Sequence, residues 1–228
     1  MDFNGQSKDR NVDIVFCIDG TGSMSDCINT IKDNARRFQR DLTQALVDAR
    51  TNITALRVRL VVFRDYDSDS DAMEQTRFFE LPADQEEFER ALSGIDAHGG
   101  GDAPENGFEA LYYAMKSEWV TGKYDRQIIV LFTDADALDL LERKGCANYP
   151  SDMVDMAGLE TLWACKDSQE NLLRDRLKRL VIFAPKDSKY ENLVWERYQF
   201  TPVAKDAGLS EIDFTEIVKS IVKSATAI

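Results

Sequence analysis

Asp19, Thr21 and Ser23 stand at alternate positions in the run Asp19-Gly20-Thr21-Gly22-Ser23. In an extended turn, alternate side chains point the same way, so this run would present one carboxylate and two hydroxyls together. Such oxygens suit a hard divalent cation. Mg2+, for example, takes about six oxygen ligands at roughly 2.0 to 2.1 Å and usually keeps some water. One loop cannot finish such a shell. Two others offer carboxylates: Asp102 follows Gly99-Gly100-Gly101, and Asp134 follows the apolar run Gln127 to Phe132. The glycines let the backbone turn sharply and approach an ion without side-chain bulk. Taken alone, the first run also reads as a glycine-rich turn capping a helix through Thr21 or Ser23; it is the two further loops that turn the reading towards metal binding.

The surrounding residues say what must position these groups. Val12 to Ile18 is a short apolar, β-branched run, read as a strand buried on both faces. Ile28, Ile31, Ala35, Phe38, Leu42 and Ala45 then recur at helical spacing, so a long amphipathic helix follows from Met24. Leu56 to Phe63 and Thr76 to Leu81 read as strands whose short connection favours an antiparallel pair. Asp84 to Ile95 and the stretch opened by Glu105, with Phe108, Leu111, Tyr112, Met115 and Trp119 on one face, read as helices. Gln127 to Phe132 and Arg179 to Pro185 are further buried strands. Weak helices are expected up to Leu177, and a last helix opens at Ser210, with Asp213 placed for capping. Strands alternating with helices imply a mostly parallel sheet covered on both faces, and ligands of such sheets sit beyond the carboxyl ends of the strands.

Several other groups need weighing. Asp65, Asp67, Asp69 and Asp71 alternate as in a calcium loop, but Ser70 and Thr76 occupy the glycine and glutamate places of an EF-hand, so a solvated loop is expected. Asp65 ends a strand next to the first and is read as a group standing behind the metal ligands, as is Asp136, which would replace Asp134 if the strand ran further. The loop Ala135 to Ser151 borders the presumed site, and Leu138 and Tyr149 are its candidate partner contacts. His98, the sole histidine, reads as a loop residue, and no nucleophile elbow or P-loop is present, so no catalytic residue is assigned. The enzymatic alternative is a Mg2+-dependent phosphohydrolase of the haloacid dehalogenase type. It requires an aspartate two residues before Asp19, where this chain has Cys17.

With 28 Lys+Arg against 41 Asp+Glu the formal charge is −13, which disfavours nucleic acid and anionic membrane surfaces as partners. Hydrophobic residues at 43% leave enough material for one large core, so a single domain with its core over about residues 12 to 222 is expected. Residues 1 to 11 lack an apolar segment, which leads to the expectation of a cytoplasmic protein with free cysteines at 17, 27, 146 and 165.

The motifs IDGTGSM, FRDYD, GGGDAPENGFEAL, LFTDA and RLVIFAP, in that order, resemble the intracellular branch of the von Willebrand factor A family over about Val12 to Ser220. The fold then expected is α/β, a Rossmann-like doubly wound, mostly parallel six-stranded sheet with one antiparallel edge strand and helices on both faces. The resemblance implies a metal-ion-dependent adhesion site in which Asp19, Thr21, Ser23, Asp102 and Asp134 hold Mg2+, or Mn2+ or Ca2+. Asp102 stands where adhesive members have threonine. Three carboxylates would then exceed the charge of the cation, so that Asp102 binds through water or the partner offers a neutral or weakly charged ligand. The implied activity is non-enzymatic: an adaptor or regulator for a protein partner such as an AAA+ ATPase, kinase, phosphatase or multiprotein signalling or defence complex.

Overall fold

The computed structural model describes residues 9–49, 52–100, 103–165, 171–203 and 214–226. The first strand, β1 (Asp9–Asp19), lies at the centre of the sheet. It is parallel to β2 (Asn52–Phe63) on one side and to β5 (Arg126–Phe132) on the other. Beyond β5 come β6 (Lys178–Pro185) and β7 (Tyr198–Val203), both parallel. At the other edge, β3 (Met73–Gln75) and β4 (Phe79–Leu81) both pair antiparallel with β2. These two short strands share one edge position, broken at residues 76 to 78, so the sheet has seven strands where six were expected.

Burial explains the assignment. Residues 12 to 19 of β1 and all of β5 and β6 are buried, as strands covered on both faces must be. Ile14, Phe16 and Ile18 face α1 (Ser25–Asp48), α2 (Gln85–Ser93) and α5 (Phe214–Thr226). Val15 and Cys17 face α3 (Gly107–Met115) and α4 (Met156–Trp163). Each fully buried large aliphatic or aromatic side chain contributes about 1.5–3 kcal/mol. Ser210 and Asp213 lie outside the described residues. β7 escapes the sequence reading because YQFTPV is an edge strand, half-buried along most of its length, with a proline near its end and no continuous apolar run.

The register brings the functional loops together. Asp19 lies opposite Phe63, and Ile18 opposite Phe132, so β1, β2 and β5 end at the same edge and their loops emerge side by side. Residues 135 to 151 form successive turns with no helix or strand, as expected of a long surface loop. Among the described residues, no helix is long and apolar enough to cross a membrane.

Candidate metal centre

At the end of β1 the Asp19 carboxylate is fully buried and held on both oxygens. Its Oδ1 accepts the Thr21 hydroxyl at 2.6 Å and the Thr21 backbone N–H at 3.0 Å. Its Oδ2 accepts the Thr133 hydroxyl at 2.6 Å, from the residue that follows β5. Burial pushes the Asp19 carboxyl up to about 6, against the pull of these donors and helped by the charge of Asp134. Ser23 is exposed and donates its hydroxyl to Asp134 Oδ1 at 2.9 Å, and Thr21 Oγ1 and Ser23 Oγ lie 3.3 Å apart. With their protons directed to the carboxylates of Asp19 and Asp134, both hydroxyl oxygens keep lone pairs free for a cation. Asp19, Thr21, Ser23 and Asp134 are thus brought together as anticipated.

The loop after α2 closes over this group. Gly99 and Gly100 have φ of 68° and 75°, where glycine is at ease. A Cβ at Gly100 would stand 2.3 Å from Thr21 Cγ2, so the backbone here lies directly against the first loop. Arg64, which sequence reasoning missed, ties the three loops from beneath. Its guanidinium is fully buried and donates to Gly20 O (3.1 Å), Asp71 O (3.0 Å), Glu74 Oε1 (2.9 Å) and Asp96 O (2.9 Å). Gly20 has to be glycine, since a Cβ there would lie 2.7 Å from Val62 and 2.9 Å from the Arg64 guanidinium.

Asp102, the carboxylate expected from the middle loop, lies outside the described residues; among those described, this loop brings Glu105 to the site. Sequence reading made Glu105 the first residue of a helix, but α3 begins at Gly107. Glu105 instead bridges to the loop after β5: its N–H donates to Asp136 O at 2.9 Å and its C=O accepts from Leu138 N at 2.8 Å. Fixed on both sides, it is buried at 2% exposure, with Oε2 lacking a hydrogen-bond partner among the described residues. Burial, then the charges of Asp19, Asp65, Asp69 and Asp134, push its carboxyl up to about 9. Asp134 Oδ2 is likewise buried and unpartnered. No lysine, arginine or histidine among the described residues forms an ion pair with Asp19, Glu105 or Asp134. Two carboxylate oxygens without hydrogen-bond partners, with two lone-pair-bearing hydroxyls in the same cluster, fit a divalent cation, whose charge would favour the ionised form of Glu105.

The remaining candidates serve the scaffold. Asp65 is buried and forms a bidentate pair with Arg143 at 2.7 Å on both oxygens, anchoring the loop 135–151. Asp69 is also buried, while Asp67 is exposed and Asp71 half-buried, so the expected solvated loop holds for part of Asp65 to Asp71 and not for Asp65 or Asp69. Asp136 Oδ1 accepts the N–H groups of Ala137 (2.8 Å) and Lys189 (2.7 Å), joining the loops after β5 and β6 and leaving Asp134 as the carboxylate that meets Ser23. Leu138 is 2% exposed and offers no surface to a partner. Tyr149 is half-buried, and its hydroxyl donates to Glu109 Oε1 at 2.8 Å and accepts from Leu141 N at 3.0 Å. Cys17 is fully buried, its thiol directed at Ala110 O, and burial pushes it further from ionisation.

Solved structures share this fold at low identity. The pilus adhesin SpaC from Lactobacillus rhamnosus GG aligns with a TM-score of 0.55 and 14% identity over 94% of this chain and 31% of its own. The open conformation of that adhesin gives 0.53 and 15% over 94% and 30%. A von Willebrand factor type A protein from Catenulispora acidiphila gives 0.52 and 12% over 95% and 43%. The chain therefore spans less than half the length of each of these structures. No curated protein sequence matches it. The sequence profile of the von Willebrand factor A domain matches residues 13–148, which include most of β1, all of β2 and β5, and the loops that carry Asp19, Glu105 and Asp134. With more than half its length matched and the sheet built as described, the chain belongs to the von Willebrand factor A domain family.

Proposed function

We propose that this domain is a binding module, not an enzyme, which holds one divalent cation at the carboxyl end of β1 for recognition of a protein partner. The observation that carries this reading is the pair of buried oxygens Asp134 Oδ2 and Glu105 Oε2, neither hydrogen-bonded among the described residues, in a cluster of carboxylates with no basic ion-pair partner there. Thr21 and Ser23 would add hydroxyl oxygens, while Asp19 orients Thr21 and is itself held by Thr133. An all-oxygen donor set favours Mg2+, with Mn2+ or Ca2+ as the nearest substitutes. When bound, the cation supplies a Lewis-acidic position that an oxygen of the partner completes.

Three carboxylates outnumber the charge of a divalent ion by one. With Glu105 beside Asp19 and Asp134, a neutral or weakly charged partner group is favoured over another carboxylate. The start of α1 just beyond Ser23 adds a favourable field for electron-rich ligands. A dehalogenase-type phosphohydrolase is not favoured, since Cys17 fills the nucleophile position and is inert. An intracellular adaptor or regulatory role, for an ATPase, kinase, phosphatase or larger complex, is consistent with this site and rests on the family resemblance. Calorimetric titration with Mg2+ tests the reading. One equivalent should bind, and Asp134→Ala should weaken it by at least about tenfold, or 1.4 kcal/mol; equal Mg2+ affinity in that variant would overturn it.

A further inference from the structure

Beside the oxygen centre, on the far side of the Gly99–Gly100 turn, the loop after β2 meets the loop after α2. Asp69, Asp71 and His98 each offer a ligand atom there, all within 4.8 Å of one another. Asp69 is 9% exposed. Its Oδ2 accepts the Gly100 N–H at 3.0 Å, and among the described residues its Oδ1 accepts no hydrogen bond and no basic group pairs with it. The neighbouring acids differ: Asp65 has Arg143, and Asp71 has Arg64 at 3.5 Å. Asp69 thus brings a largely buried carboxylate to the cluster with no ion pair of its own among the described residues.

His98 is oriented to take part. Its Nδ1 lies 3.0 Å from the carbonyl of Asp96, outside the cluster, and its Nε2 lies 3.2 Å from Asp71 Oδ2. When Nδ1–H donates to that carbonyl, Nε2 turns a lone pair towards a carboxylate oxygen. In that tautomer Nε2 is free to act as a ligand beside Asp71, whereas a proton on Nε2 makes the contact a His–Asp hydrogen bond. A ring nitrogen fixed by a backbone carbonyl while the other faces the ion is also how metal-binding histidines are oriented. The backbone of the cluster is set without any ion, by His98 N to Gly20 O (3.1 Å), by Arg64 to Asp71 O and Asp96 O, and by Asn148 Nδ2 to Asp69 O (3.2 Å).

We propose that Asp69, Asp71 and His98 form a second divalent-cation site, selective for the transition-metal class of Zn2+, Co2+ and Mn2+. An imidazole among two carboxylates suits these ions better than Mg2+ or Ca2+, which prefer oxygen alone. Three protein ligands leave positions for water. Because Asp69 also grips Gly100, which packs on Thr21, an ion here stiffens the turn that covers the oxygen centre.

As His98 is the only histidine, its imidazole C–H signals in a proton NMR spectrum report this site alone. With Mg2+ in excess, one equivalent of Zn2+ should shift those signals to saturation. Asp69→Asn and Asp71→Asn should each weaken that response by at least about tenfold. His98→Ala should lose one equivalent of Zn2+ by calorimetry, while Asp19→Ala keeps the full imidazole response. Imidazole signals that stay unmoved at stoichiometric Zn2+, an Asp69→Asn protein that responds like wild type, or loss of the response in Asp19→Ala would each overturn the proposal. Failure of the wild type to bind Mg2+, with the imidazole response intact, would instead sink the reading of the oxygen centre and leave this one standing.

Discussion

Replacing Glu105 by glutamine should move stability and metal affinity in opposite directions. In the metal-free protein this carboxyl is pushed from 4.5 up to about 9, first by burial and then by Asp19, Asp65, Asp69 and Asp134. A carboxyl raised on folding favours the folded chain below its unfolded value, and that contribution is lost as pH climbs towards the folded value. Glu105 therefore weakens the metal-free domain increasingly between about pH 4.5 and 9. At about 1.4 kcal/mol per pH unit as an upper limit, the cost near neutrality is on the order of 3 kcal/mol, and glutamine does not carry it. For a domain of this size, that corresponds to a melting temperature higher by roughly 5 to 10 °C. The same change removes a ligand charge. Wild type should gain about 2.7 kcal/mol at Mg2+ one hundred times its Kd, and Glu105→Gln should lose most of that gain at the same concentration. Thermal unfolding followed by circular dichroism, in chelator and in Mg2+, from pH 5 to 8.5, measures both. The variant should melt higher than wild type in chelator at pH 8, and the gap should close towards pH 5. A variant that melts lower in chelator, or a gap that does not narrow in acid, would refute the electrostatic account of this site.

Arg64→Met should cost about 3–5 kcal/mol in urea unfolding, because it strands the carbonyls of Gly20, Asp71 and Asp96 together with Glu74. Gly107→Ala places a Cβ 1.8 Å from the Tyr190 hydroxyl and should lose about 1–3 kcal/mol. Adding Tyr190→Phe should restore most of that loss, and Tyr190→Phe alone should be neutral or stabilising, since the hydroxyl is buried without a partner. Arg143→Ala removes the only cation paired with buried Asp65 among the described residues. It should speed limited proteolysis within 135–151 at least severalfold, and an unchanged cleavage rate would count against that ion pair as the clasp of the loop.

Much of the site was legible because it rests on short-range spacing at the ends of strongly apolar strands. Asp19, Thr21 and Ser23 follow β1 at alternate positions, and Asp134 follows β5, so finding the strands found the residues. Glu105 was not legible. An acid just before a helix is an ordinary response to the helix dipole, and only the backbone bridge to Asp136 and Leu138 turns it into the site. Arg64 was missed for a similar reason. Directly after a strand, in a chain rich in charge, it reads as a surface residue until three loops fold around it.

The same division runs through the whole chain. Continuous apolar runs and helical spacing along the primary structure were enough to determine the layered α/β architecture, since a strand buried on both faces and an amphipathic helix have few ways to hide their apolar sides. Two edge strands escaped, because β3 and β7 bury too little to carry a clear period. The tertiary structure alone decided which carboxylates are buried, and with what partners. Among the described residues, Asp65 found Arg143 from 78 residues away, Asp69 found a backbone N–H, and Glu105 found no partner for one oxygen. Desolvation and Coulomb interaction depend on distance in space, and separation along the chain does not encode that distance.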